Sequence, residues 1–270
     1  MVTMILRIRS NHWNEITIYQ TKSQRGVLST ADIVFYSGVL VHPHPPFSHS
    51  IYSIDLFKMA PKYSAIIFDI GDVLFTWSKF TTTTISAQTI KLVIDHPIWC
   101  EFERGEIPAA TCYRRLADAS SISSGQEVAE AFEQARNSLS QDPLMTELLH
   151  QIRQEKGIAT ETNADKLALY AMSNISKEDY AFLRGLDAPW HLFDEVFASG
   201  YAGMRKPEAR FYEFVLREIG LQERAGEAIF VDDKWENVEA AREAGLHAVQ
   251  FKSAAETGAE LRRLLALQSR

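Results

Sequence analysis

The chain has 270 residues, 46% hydrophobic and 23% charged, with a net charge of −7. That length buries a substantial core in one or two domains, and the acidic balance argues against a general nucleic-acid binder, which carries a basic field. Its two cysteines, Cys100 and Cys112 in one helical stretch, make no disulfide framework and suit a reducing, cytoplasmic setting. No apolar run approaches the roughly 18–20 residues of an integral membrane segment.

Residues 1–60 differ from the rest. They mix His, Ser, Tyr and Pro without a sustained period, include His42-Pro43-His44-Pro45-Pro46, and carry five basic residues against three acids. The proline spacing reads as an extended linker rather than a metal site. Two readings of this part stand: a poorly ordered extension upstream of the core, or a core whose true start is Met59-Ala60-Pro61-Lys62. No apolar run with a small-residue cleavage site marks a targeting peptide.

From residue 62 strands and helices alternate. A strand near 64–69 comes first. Helical segments follow: a face of Ile90, Val93 and Ile94 broken by Pro97, then Trp99–Arg104, Ala109–Ala119, Gly125–Ser138 and Pro143–Lys156. A short apolar strand spans Leu167–Met172, a helix Lys177–Arg184 and a strand Asp194–Ala198. The amphipathic helix Glu208–Ile219 stops at Gly220, before a strand at Ala228–Val231, a helix at Trp235–Ala244, a strand at Leu246–Phe251 and a helix at Glu256–Leu267. This rhythm predicts an α/β fold with a doubly wound parallel sheet. An insert of about 65 residues is too long for a loop and packs as a cap over the strand ends. The expected domains are an extension over 1–60, a core over 61–85 and 157–270, and a helical cap over 86–156.

Open α/β sheets place their chemistry past the carboxyl ends of their strands. Here those ends are polar. Asp69 closes the first strand and Asp72 follows three residues on. Ser173 and Asn174 end the second, Lys206 precedes a helix, and Asp232 and Asp233 end another apolar strand. Taken singly, each is commonplace as a turn, an N-cap or a solvated charge. Together they supply a nucleophile, a hydroxyl, a cation and metal-binding carboxylates, the parts that hold a phosphoryl group and one hard divalent ion.

In this order, over about residues 64–252, they resemble the haloacid dehalogenase-like (HAD) superfamily. The resemblance implies a Rossmann-like core with an inserted helical C1 cap, Asp69 as nucleophile, and Ser173, Asn174 and Lys206 on the phosphate. It also implies Mg²⁺ held by Asp69, Gly71, Asp232, Asp233 and Glu236. Phosphatases of the superfamily usually read Asp-x-Asp, the second Asp protonating the leaving group. Here that position is Gly71 and the acid has moved to Asp72.

The segments Phe68–Trp77, Trp99–Gly105, Ala171–Ser176, Gly203–Pro207 and Val231–Val238 look like a fungal branch of the superfamily. That branch includes drimane- and albicanol-type sesquiterpene cyclases, which act on farnesyl diphosphate. The resemblance implies that Asp232-Asp233-Lys234-Trp235-Glu236 also reads as the Asp-Asp-x-x-Glu diphosphate motif of terpene cyclases. The Asp-x-Asp-Thr-Thr acid motif is not found, and Asp69-Ile-Gly-Asp72 is the nearest acidic cluster. A prenyl tail needs a dry, aromatic chamber. Phe75, Trp77, Phe80, Trp99, Phe102 and Tyr113 are the candidates, each against a plain packing role.

The leading expectation is a Mg²⁺-dependent cyclase of farnesyl diphosphate giving a drimane-type product, with Asp69, Asp72 and Lys206 catalytic and dephosphorylation as an accompanying step. The alternative is a phosphatase of a small phosphate ester working through an aspartyl-phosphate. A third reading, a scaffold that only binds, rests on the missing second Asp. In the first two the partner is a small molecule, with no nucleic acid.

Overall fold

The computed structural model describes residues 63–122, 124–157 and 167–267 with their side chains, and the backbone of three strands upstream. The chain divides between Pro61 and Lys62 into two units. In the first, β1 (Thr3–Arg9) pairs antiparallel with β2 (Glu15–Thr21) and parallel with β3 (Ile51–Asp55). The segment expected to be poorly ordered thus contains a three-stranded sheet, while the His42–Pro46 run lies outside the described residues.

The second unit begins with β4 (Ala65–Phe68) and the short β5 (Phe75–Thr76). The helices α1 (Ala87–Ile94), α2 (Pro97–Glu103), α3 (Ala109–Ser120) and α4 (Gly125–Asn137) follow. Then come β6 (Ser140–Gln141), α5 (Pro143–Lys156), β7 (Ala168–Ser173), α6 (Lys177–Arg184), β8 (Glu195–Ala198) and α7 (Ser199–Ala202). The chain continues through α8 (Ala209–Glu218), β9 (Ala228–Asp232), α9 (Trp235–Glu243), β10 (His247–Gln250) and α10 (Ala254–Leu265).

Five parallel strands run in the order β10-β9-β4-β7-β8. The chain moves outward from β4 to β8, then returns to the other side of β4 for β9 and β10. The reversal falls between β4 and β9, the crevice where doubly wound sheets bind ligands. Both faces of the sheet are covered, which is why β4 is apolar at every position. Ile66 and Phe68 pack toward Met145, Leu148, Leu149 and Ile152 of α5 and Leu261 of α10. Ala65 and Ile67 pack toward Phe211, Tyr212 and Val215 of α8 and Val238 of α9.

The expected cap boundary needs correcting at α5. Its residues 145, 148, 149 and 152 fall at i, i+3, i+4 and i+7, one apolar stripe, and that stripe closes the core. The cap proper is α1–α4, with its own cluster of Ile90, Trp99, Phe102, Cys112, Leu116 and Val128. Cys100 and Cys112 sit on two different helices, α2 and α3, and both are free thiols. Antiparallel β5 and β6, which nothing in the sequence pattern marked, pair the strand entering the cap with the strand leaving it.

The cap is docked at the end of α2. Ser199 Oγ donates to the Glu103 carbonyl at 2.7 Å, and Arg205 Nε donates to the buried Glu103 carboxylate at 2.9 Å. Gly105, at φ 70°, lies so close to the Gly200 carbonyl that a Cβ on it would meet that oxygen at 2.5 Å.

Candidate active site

Strand register brings the acids together. Phe68 of β4 faces Val231 of β9, and Asp69 N donates to Val231 O at 2.8 Å. Asp69 and Asp232 are the next residues on adjacent parallel strands, which lie about 4.8 Å apart. Phe68 also faces Ala171, so β7 delivers buried Ser173 on the other side of β4.

Lys206 joins the two acids. Its Nζ lies 2.8 Å from Asp69 Oδ1 and 2.6 Å from Asp232 Oδ2, with the lysine 1% exposed. Asn174 holds the lysine backbone in place: its Nδ2 donates to Lys206 O at 2.8 Å, and Lys206 N donates to its Oδ1 at 2.7 Å. Both polar atoms of Asn174 are therefore engaged in positioning Lys206. Asp232 Oδ1 accepts from Lys234 N and Asn237 Nδ2, each at 2.9 Å. Asp69 Oδ1 also accepts from Ile70 N at 2.7 Å. Asp69 Oδ2 has no donor among the described residues.

Asp69, Asp232 and Asp233 each bring a carboxylate oxygen within 4.8 Å of the others. Burial pushes Asp69 up to about 8; Lys206 opposes this, while Asp232 and Asp233 add to it. Burial, then Asp232 and Asp72, push Asp233 up to about 6. For Lys206, burial alone would lower the pKa, but the Asp232 and Asp69 carboxylates outweigh it and hold it above its ordinary value. Three acids thus crowd around one ammonium with negative charge in excess. Hard carboxylate oxygens short of positive charge fit a divalent cation such as Mg²⁺.

Glu236, expected as a metal ligand, does not join this group; it is exposed on the first turn of α9. Successive helix residues are turned by about 100°. The turn that sends Asn237 inward to Asp232 sends Glu236 to solvent. Gly71 is exposed, and a Cβ built on it meets nothing within 4 Å. Asp72 sits in a left-handed turn at φ 53°, its N–H donating to Phe75 O at 2.7 Å. Its charge bears on Asp233 and is not among the main influences on Asp69. The acids that bear on Asp69 are Asp232 and Asp233 across the strands, rather than Asp72 of its own turn.

Of the six candidate pocket aromatics, Trp77 and Trp99 line a cavity of about 170 Å³ between the cap and the segment after β7. Phe75 is core, stacked on Trp190 at 5.5 Å; Phe102 is fully buried inside the cap; Tyr113 packs against Phe132; Phe80 is 76% exposed. Sequence reasoning missed Phe132, Ala135 and Arg136, which also line the cavity. The signal was present in part: positions 132, 135 and 136 share one face of α4.

The profile of the family described as "Hydrolase: haloacid dehalogenase-like hydrolase" matches residues 37–245. The sesquiterpene phosphatase astK of Aspergillus oryzae is 38% identical over 207 residues, 77% of this chain and 99% of that protein. The drimenol cyclase drtB of Aspergillus calidoustus is 39% identical over 188 residues, 69% of this chain, but the match spans only 34% of the cyclase. Among solved structures, a HAD family enzyme of Bacteroides thetaiotaomicron in a magnesium complex aligns with a TM-score of 0.56 at 20% identity, covering 75% of this chain and 99% of that one. A predicted HAD-like hydrolase of Porphyromonas gingivalis gives 0.56 at 19%, covering 77% and 100%. At these identities the structural matches speak to the fold alone.

Proposed function

Because the chain belongs to the haloacid dehalogenase-like hydrolase family, we propose that it is a Mg²⁺-dependent phosphatase that releases a sesquiterpene alcohol from its phosphate ester. The observation that carries this reading is the Asp69–Lys206–Asp232 bridge with Asp233 beside it. Asp69, Asp232 and Asp233 would hold the Mg²⁺, which supplies positive charge to the phosphoryl oxygens.

The chain's own residues do the rest. Lys206 and Ile70 N hold Asp69 Oδ1, leaving Oδ2 to attack phosphorus. The Asp69–phosphorus bond forms as the bond from phosphorus to the prenyl oxygen breaks. Lys206, buried and charged, offsets the negative charge on the phosphoryl group. Asp72, in the turn that follows Asp69, would pass a proton to the leaving alkoxide and regain one from the attacking water. Water then cleaves the aspartyl-phosphate, freeing phosphate and restoring Asp69.

Two observations weigh for hydrolysis over cyclisation. Glu236 faces solvent, so the Asp-Asp-x-x-Glu reading loses its third member. The chain also spans nearly all of a sesquiterpene phosphatase but about a third of the drimenol cyclase. The test is incubation with Mg²⁺ and either farnesyl phosphate or farnesyl diphosphate, followed by phosphate assay and product extraction. Farnesol with free phosphate is expected from the monophosphate, and Asp69→Asn should reduce it at least about 1,000-fold. A cyclised sesquiterpene from the diphosphate would restore the cyclase reading.

A further inference from the structure

The cavity between the cap and the segment after β7 has the character of a hydrocarbon pocket. Trp99 and Phe132 stack at 4.2 Å and 19°, forming an aromatic wall, and Trp77, Ile90, Ile94 and Ala135 complete the apolar lining. Its polar members, Arg136 of α4 and Asp179 of α6, neutralise each other in an ion pair at 2.6 Å. Ser176 Oγ donates to the second oxygen of Asp179, and the Arg136 guanidinium lies 5.4 Å from the Phe182 ring centroid. The lining therefore presents little unspent polarity to an occupant.

The cavity is continuous in sequence with the reacting groups. Ile175 of its wall is two residues beyond Ser173, and Trp77 lies on the segment that leaves the Asp69 turn. Its volume of about 170 Å³ is of the order of an apolar cavity, about 150 Å³, that takes up benzene. One five-carbon branched isoprene unit is of similar size.

Resting on the phosphatase reading, we propose that this cavity seats an isoprene unit of the substrate's prenyl tail, so that the cap selects long prenyl chains over short ones. The aromatic wall packs on the tail's double bond and methyl group. The Arg136–Asp179 pair ties the cap to the core at the cavity's edge.

The test uses alcohols, which bind without reacting. Tryptophan emission of the full chain, with Trp77 and Trp99 as reporters, is titrated with farnesol and with the five-carbon alcohol prenol. Farnesol is expected to saturate at a concentration at least about tenfold lower, since it can reach the site and the cavity at once, whereas prenol, one isoprene unit long, fills only one of them. Ala135→Phe or Ile94→Phe, each filling the cavity, should reduce that farnesol preference by at least about tenfold; a thermal melt identifies the variant that remains folded. Equal affinity for the two alcohols, or an undiminished preference in a folded filled variant, overturns the proposal. Phosphate release from farnesyl phosphate is measured in parallel. Release without chain-length preference leaves the phosphatase reading standing and removes the cavity's role. Farnesol binding that Ala135→Phe abolishes, with no phosphate release, keeps the cavity and removes the phosphatase reading.

Discussion

Gly71 holds the position where a second acid would usually protonate the leaving group, and the space around it is open. Gly71→Asp should therefore raise turnover of farnesyl phosphate, whose alkoxide needs a proton, by at least about tenfold. An aryl phosphate with a good leaving group should gain little. Steady-state phosphate release from both substrates checks this, and equal gains would contradict it. The converse variant is Asp72→Asn, since Asn tolerates the left-handed turn at φ 53°. It should lower farnesyl phosphate turnover by about 10–100-fold while leaving the melting temperature nearly unchanged. That Asp69, Asp232 and Asp233 lie together was legible from the sequence because they follow apolar strands, where a polar residue stands out, while Lys206 was marked by its place before a helix. Glu236 misled because spacing alone does not say which way a side chain is turned, and helix phase sends it outward. The bonds from Asn174 to the Lys206 backbone were not legible, because they join segments 32 residues apart.

The docking of the cap depends on single close approaches. Gly105 is in the left-handed region, and its missing Cβ leaves room for the Gly200 carbonyl. Gly105→Ala should cost about 2 kcal/mol or more from backbone strain and overlap. It should appear as a lower melting temperature and faster proteolysis between α2 and α3; unchanged values of both would contradict it. The strands and most helices of the second unit were legible from periodicity, because parallel strands buried on both faces read as short apolar runs. Assigning α5 to the cap was the error. Chain order placed it inside the insert, whereas its stripe at 145, 148, 149 and 152 packs on the core sheet. The β5–β6 pair is two residues long on each side, too short for any period to register.

Across the whole molecule, excess negative charge at the β4–β9 crevice links stability to pH and metal. Asp69 and Asp233 have folded-state pKa values raised to about 8 and about 6 from ordinary values near 4. The folded, metal-free chain therefore holds more protons than the unfolded chain between those limits. The stabilisation this linkage contributes is complete below about pH 4 and is lost as pH rises through 6 and then 8. In chelator, the part of the melting temperature set by these acids should fall from pH 5 to pH 8. Added Mg²⁺ should raise the melting temperature more at pH 8 than at pH 5, because bound cation and proton compete. A Mg²⁺ effect that is larger at pH 5 would contradict this. The central claim, that Asp69 is the nucleophile of a prenyl phosphate phosphatase, is tested most directly by acid-quenching the full chain during turnover of farnesyl phosphate carrying radiolabelled phosphorus. Nucleophilic attack by Asp69 predicts label on the peptide containing it, lost on chase with unlabelled substrate as farnesol and phosphate accumulate. Farnesol and phosphate formed with the label on another residue or on none would contradict it.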